Sequence, residues 1–128
     1  MAKTALDMTG DQWRAYDLGA AIRRRTSVDP QVQERWRQAQ QLAREAARLL
    51  RERFSARRVV LFGSAVERVS FTRWSDVDLA VWGVPPEHFY AAVAAVTGLS
   101  VDILVDLVDA EQCSDDLKGT VEQEGVEL

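Results

Sequence analysis

The feature that most limits what this chain can fold into is a change of hydrophobic period between residues 54 and 58. Val32, Trp36, Ala39, Ala43, Ala46, Leu50 and Phe54 recur at steps of three and four, which is one apolar face of a long helix. Arg58-Val-Val-Leu-Phe62 then forms a short apolar run closed by Gly63-Ser64, and this predicts a buried strand. Asp29-Pro30 supplies the helix start, with Asp as N-cap and Pro at the first helical position. Arg37, Arg44, Arg48 and Arg51 fall on the other faces of that helix.

The same reading extends along the chain. Thr9-Gly-Asp-Gln12 has a capping-box pattern, and Met8 and Trp13 stand where a hydrophobic staple closes, so a first helix is expected from Thr9 to about Arg24. Residues 65–75 are polar and irregular and predict a loop. Asp76 to Trp82 predicts a second strand with Val77, Leu79 and Val81 on one face. Pro85-Pro86 opens a helix through about Val96, stopped by Gly98. Ser100 to Val105 predicts a third strand, in which Val101, Ile103 and Val105 alternate with Asp102 and Leu104. A short helix from Ser114 to Glu124 ends at Gly125. The order of elements favours a small α/β domain with a sheet covered by helices.

Composition removes whole classes of chemistry. A single cysteine, Cys113, excludes an internal disulfide and a Cys-rich zinc site, and a single histidine, His88, excludes a His-dominated metal site. No apolar run approaches the ~20 residues that span a bilayer, and the start of the chain has no signal-peptide core, so a cytoplasmic location is expected. The net charge of −4 conceals an asymmetry: residues 1–60 carry 13 basic and 7 acidic side chains, and residues 61–128 carry 3 and 13. Arg23-Arg24-Arg25 and Arg57-Arg58 are basic clusters suited to a phosphate or an acidic protein face; the triplet equally suits a helix C-terminus.

The acidic half contains the informative constellation. Asp76 and Asp78 are two apart on a predicted strand, so they share a face with α-carbons ~6.6 Å apart. A hard cation such as Mg²⁺ is held by one or two carboxylates together with substrate phosphates. Asp102, on the next predicted strand, is the candidate third carboxylate, and Asp106 is its competitor on the same strand face. Gly63 ends a buried strand where a backbone without a side chain can approach a phosphate, and Ser64 adds a hydroxyl and an N–H there. Three carboxylates around two ions suit in-line phosphoryl chemistry.

The ordered pattern Phe62-Gly63-Ser64, eleven residues, Asp76-Val77-Asp78-Leu79, then Asp102 resembles the minimal nucleotidyltransferases of the polymerase-β-like superfamily. The resemblance covers residues 30–128, and the ending Glu124-Gly-Val-Glu-Leu128 also looks like that family's. The Gly-Ser to Asp-x-Asp spacing is one residue longer than the common form. Where many relatives carry an Arg soon after the Gly-Ser, this chain has Ala65 and Val66, and Arg68 comes later. The resemblance implies an α/β (α+β) fold with a small mixed sheet flanked by helices, preceded by an N-terminal helical extension at residues 1–29. It implies transfer of a nucleoside monophosphate, AMP from ATP, to a hydroxyl. Asp76 and Asp78 would ligate two Mg²⁺ ions, Asp102 would ligate the catalytic one, and Gly63 and Ser64 would bind the nucleotide.

His88 and Cys113 have no part in such a reaction. A chain this short, resembling minimal members, implies a separate protein acceptor. The family arrangement it resembles pairs an MntA-like antitoxin with a HEPN-domain RNase toxin, whose tyrosine hydroxyl receives AMP, in a hetero-oligomer without membrane or direct nucleic-acid contact. The alternatives are an antitoxin that acts by binding alone and a nucleotidyltransferase for a small molecule or nucleic acid. Trp36 is expected in the core, and Trp74, in the loop before Asp76, is a candidate for stacking on a base or a partner.

Overall fold

The computed structural model describes residues 29–128; the helix expected over residues 9–24 and the Arg23–Arg25 cluster lie outside these. The first described helix, α1, spans Pro30–Phe54. The Asp29 carboxylate accepts from the Gln31 and Val32 backbone N–H groups at 2.9 and 3.5 Å, so the expected cap forms. Its buried face holds Val32, Ala39, Leu42, Ala43, Ala46, Ala47 and Leu50. The four alanines allow close approach to the sheet. Trp36 and Phe54, expected in that stripe, are partly buried at its edge, while Leu42 and Ala47 are added to it. Ser55 ends the helix in the left-handed region, φ 65°.

Strand β1 is Arg58–Phe62, with the expected bounds. A four-residue 3₁₀ turn, Gly63–Val66, and a second, Arg68–Ser70, carry the chain into the loop. Phe71 is fully buried and anchors that loop. Strand β2 is Val77–Trp82, and helix α2 is Phe89–Thr97, entered through a 3₁₀ turn at Pro86–His88. Strand β3 is Val105–Asp109, helix α3 is Asp115–Glu124, and the two-residue strand β4 is Val126–Glu127. Ser114 caps α3 by accepting from the Leu117 N–H at 3.2 Å.

The strands form one mixed sheet in the order β3-β2-β1-β4. The β1/β2 and β1/β4 pairs are antiparallel and the β2/β3 pair is parallel. A parallel pair needs a crossover, and α2 provides it. One sheet face, with Val59, Leu61, Val77, Leu79, Val81, Val105 and Leu107, packs in a single core with the α1 stripe and α2. The other face holds a smaller core of Val60, Phe62, Ala80, Ala110 and Val121, the last from α3. The fold is the α+β arrangement of three helices and a four-stranded mixed sheet.

One strand expectation is corrected. Residues 101–103 form a bend, and the strand begins at Val105. The Ser100 hydroxyl accepts from the Asp102 and Ile103 N–H groups at 3.1 and 3.2 Å, a local turn that competes with strand pairing. Val101 is consequently fully exposed rather than core. The parallel ladder opens only where the Val77 N–H donates to the Leu104 carbonyl at 2.9 Å. Strand β4 is an element the sequence pattern did not reveal: two residues carry no periodicity.

Candidate active site

The candidate residues gather at one end of the α3-side face. Within β2, Val77, Leu79 and Val81 point to the large core, which by alternation sends Asp78 and Ala80 to the opposite face, with Asp76 just before the strand. Asp78 is paired across the sheet with Phe62 of β1 and with Asp106 of β3. Neighbouring strands lie about 4.8 Å apart, so Asp78 and Asp106 are side by side on one face. Burial, then the Asp106 charge, then the Asp76 charge push the Asp78 carboxyl up to about 6.

Gly63 closes this group from the β1 side. Its φ is +77°, a conformation that favours glycine. A Cβ there would collide with the Asp78 carboxylate, so the absent side chain is what admits that carboxylate. The Gln40 side chain donates to the Ala65 carbonyl at 2.7 Å and ties the turn after Gly63 to α1. Beside it opens a cavity of about 460 Å³ lined by Gly63, Ser64, Val66, Glu67, Ser70 and Glu124. Glu67 and Glu124 are lining residues outside the candidates read from the sequence: Glu67 belongs to no motif, and Glu124 only to the chain's ending.

Asp102 is not brought to this site. It is exposed in the Ser100 turn, and its backbone carbonyl accepts from Arg35 Nη1 at 3.1 Å. Arg35 Nη2 donates to the Ser75 carbonyl at 3.2 Å, so one guanidinium ties together the entries to β2 and β3. The third carboxylate beside Asp78 is Asp106. Among the described residues none of the three carboxylates takes an ion pair or side-chain hydrogen bond. Nor do any three His, Cys, Asp or Glu side chains there form a metal-holding group by themselves. An open set of carboxylates beside a cavity of this size still suits a hard cation that shares its ligands with substrate phosphates.

This chain is similar to a chain of the complex of tri-AMPylated Shewanella oneidensis HEPN toxin with MNT antitoxin, at 25% identity and a TM-score of 0.53 over 70% of each chain. A toxin–antitoxin complex with AMP-PNP is similar at 26% identity and a TM-score of 0.56, over 66% of this chain and 70% of that one. An MntA-HpeT mutant complex is similar at 27% identity and a TM-score of 0.55, over 66% of this chain and 69% of that one. The chain is MNT-like. No protein-family model and no curated protein matches it.

The remaining residues singled out in this MNT-like chain have structural places. Arg58 lies over the Trp82 ring, 4.2 Å from its centroid, and pairs with Glu122 and Glu127, so it joins β1, β2, α3 and β4. Arg57 pairs with Glu111 at 3.1 Å. His88 is exposed on its turn, and the Cys113 thiol donates to the Ala110 carbonyl at 3.6 Å. No described helix is long and apolar enough to cross a membrane.

Proposed function

We propose that this MNT-like chain is the antitoxin of a toxin–antitoxin pair and acts as a nucleotidyltransferase, transferring AMP from ATP to a tyrosine hydroxyl of a HEPN-domain partner. The observation that carries the reading is the Asp78–Asp106 pair on adjacent parallel strands, with Asp76 beside them and Gly63 shaped to the Asp78 carboxylate. The similar chains come from toxin–antitoxin complexes, one of a tri-AMPylated HEPN toxin with its MNT antitoxin and another containing AMP-PNP.

Asp76, Asp78 and Asp106 would hold the Mg²⁺ ions, two in the full arrangement, with Asp106 in the place first expected of Asp102. Bound there, the cations supply charge neutralisation between carboxylates and triphosphate and lower the proton affinity of the incoming hydroxyl. Gly63 and Ser64 bind the phosphate tail, and the adjoining cavity receives the remainder of the nucleotide. The hydroxyl oxygen bonds to the α-phosphorus, the bond from that phosphorus to pyrophosphate breaks, and the hydroxyl proton passes to water at the open side. No side chain of this chain serves as a nucleophile.

The test is intact-protein mass spectrometry of whatever protein is encoded beside this chain. It is co-expressed with the wild type or with the Asp76→Asn, Asp78→Asn double variant. AMP increments with the wild type alone are expected. A partner that co-purifies unmodified with both would replace the enzyme reading with an antitoxin that acts by binding.

A further inference from the structure

The buried stripe of α1 has a charged residue in it. Arg35 follows Val32 by three positions and precedes Ala39 by four, so it points the same way as those two buried side chains. Arg37, Arg44, Arg48, Arg51 and Arg53 of the same helix are exposed, whereas Arg35 is half-buried. Taking a permanently charged guanidinium partly out of water costs free energy, and its buried Nε has no partner among the described residues. The bonds it does make go to backbone: Nη1 donates to the Asp102 carbonyl at 3.1 Å and Nη2 to the Ser75 carbonyl at 3.2 Å. A rigid fork on two carbonyls fixes the relative place of two chain segments.

The three candidate carboxylates are not held alike. Asp78 and Asp106 are register partners in the β2/β3 ladder, and Asp78 also pairs with Phe62 of β1. Asp76 stands just before β2, outside both ladders. A closed circuit of contacts brackets it instead. On one side Arg35 holds the Ser75 carbonyl, and Ser75 forms a turn with Thr72: its N–H donates to the Thr72 carbonyl at 3.1 Å and its hydroxyl accepts from the Thr72 N–H at 2.9 Å. On the other side the Val77 N–H donates to the Leu104 carbonyl at 2.9 Å. Arg35 closes the circuit by holding Asp102, two residues before Leu104. The Trp74 indole stands 81% exposed on the Thr72–Ser75 turn, outside this circuit.

We propose that Arg35 is a positioning residue of the candidate active site: by clamping the Ser75 and Asp102 carbonyls together, its guanidinium sets the place of the Asp76 carboxylate, which no strand ladder fixes. This rests on the reading of Asp76, Asp78 and Asp106 as a cation site. A carboxylate that shares a cation with two others must be held to within about 0.5 Å to serve it. The ladder does this for Asp78 and Asp106. For Asp76 the peptide unit that joins it to Ser75 must be fixed from outside the sheet, and the oxygen of that unit is the one Arg35 binds. Arg35 itself is anchored on a helix whose stripe is locked into the large core, so the clamp has a firm base.

The experiment follows Mn²⁺ uptake by electron paramagnetic resonance, with AMP-PNP present, in the wild type, Arg35→Lys, Asp76→Asn and the double variant. Lysine keeps the charge but has one nitrogen, which cannot bridge both carbonyls as the fork does. Arg35→Lys is expected to weaken Mn²⁺ binding ~10-fold, the scale of losing a group that orients a metal ligand. The double variant is expected to bind no more weakly than Asp76→Asn alone, because Arg35 acts through Asp76. Losses that multiply in the double variant overturn the proposal, as does wild-type affinity in Arg35→Lys. Hydrogen–deuterium exchange in EDTA supplies a readout without cation: residues 72–77 are expected to exchange faster in Arg35→Lys, and β1 to exchange as in the wild type. Faster exchange in β1 as well would make Arg35 a general prop of the fold and overturn its specific role. A wild type that takes up no Mn²⁺ beyond what AMP-PNP binds alone would remove the cation site and the positioning role with it. If Mn²⁺ binding follows the expected pattern but no AMP reaches the partner, the enzyme reading falls and the role of Arg35 stands.

Discussion

The two faces of the central sheet obey opposite rules, and β2 shows both within three residues. Val77 and Leu79 are fully buried between the sheet and the helices α1 and α2. Asp78, between them, turns to the α3 side, where it meets Asp106 and a glycine that makes room for it. Every group on the first face lowers the free energy of the fold by leaving water. On the second face, a half-buried carboxylate beside two others raises it. That cost is confined to one end: farther along the same face Ala80, Val60 and Val121 pack as an ordinary small core. The difference teaches that the fold is secured by one face and the chemistry placed on the other, where instability can be tolerated.

The sharpest way to break this comparison is to change adjacent residues of β2. Asp78→Asn and Asp106→Asn are each expected to cut AMP transfer by at least ~10²-fold, the scale of losing a charge positioned for a transition state. The fold should persist, as judged by circular dichroism and a radiolabel transfer assay. Transfer near the wild-type rate in either variant would remove that carboxylate from the site. Leu79→Ala, one residue away, is expected to cost about 2–5 kcal/mol of stability through the cavity it leaves. Urea denaturation measures this, and whatever protein remains folded should keep its activity. A Leu79→Ala variant that stays stable but inactive would undo the division of labour between the faces.

Much of this architecture is legible in the residue pattern. The bounds of β1 follow from five apolar-rich residues ended by Gly63-Ser64, and the start of α1 from Asp29-Pro30, because both signals are local and steric. The Asp-x-Asp face follows from strand alternation. The position of β3 does not. Val101, Ile103, Val105 and Leu107 keep one parity apolar on both sides of the strand's start, with Asp102 and Asp106 on the other parity, so periodicity cannot say where pairing begins. The Ser100 hydroxyl settles that by capping a turn, and the parallel register to β2 then selects Asp106. The acidic lining of the cavity by Glu67 and Glu124 is equally illegible, since it joins residues 57 apart in sequence through packing alone.

A smaller effect sharpens the contrast through pH. The Asp78 carboxyl in the fold is pushed up from its ordinary 3.8 to about 6, so between those values the folded chain binds more protons than the unfolded one. Stability without cations must then fall as pH rises from about 4 through about 6 and stay reduced above that. Chemical denaturation across this range in EDTA is expected to show the decline in the wild type and a flatter profile in Asp78→Asn, with magnesium restoring stability at neutral pH only to the wild type. Identical profiles for the two proteins would mean that burial and the neighbouring charges do not strain Asp78.

The smallest expected effect concerns the residue the pattern alone favoured. Asp102 has the right residue type and the right parity, but it lies outside the sheet. The contact it makes to α1 runs through its backbone carbonyl and Arg35, and a side-chain substitution leaves that carbonyl in place. Asp102→Asn is therefore expected to keep transfer within about twofold, and stability within about 0.5 kcal/mol, of the wild type. Steady-state transfer kinetics and thermal melts measured beside Asp106→Asn decide the matter. A loss in Asp102→Asn equal to that in Asp106→Asn would require the Ser100 turn to move Asp102 toward Asp78 when substrate binds. The third carboxylate would then be supplied by a loop rather than by the ladder.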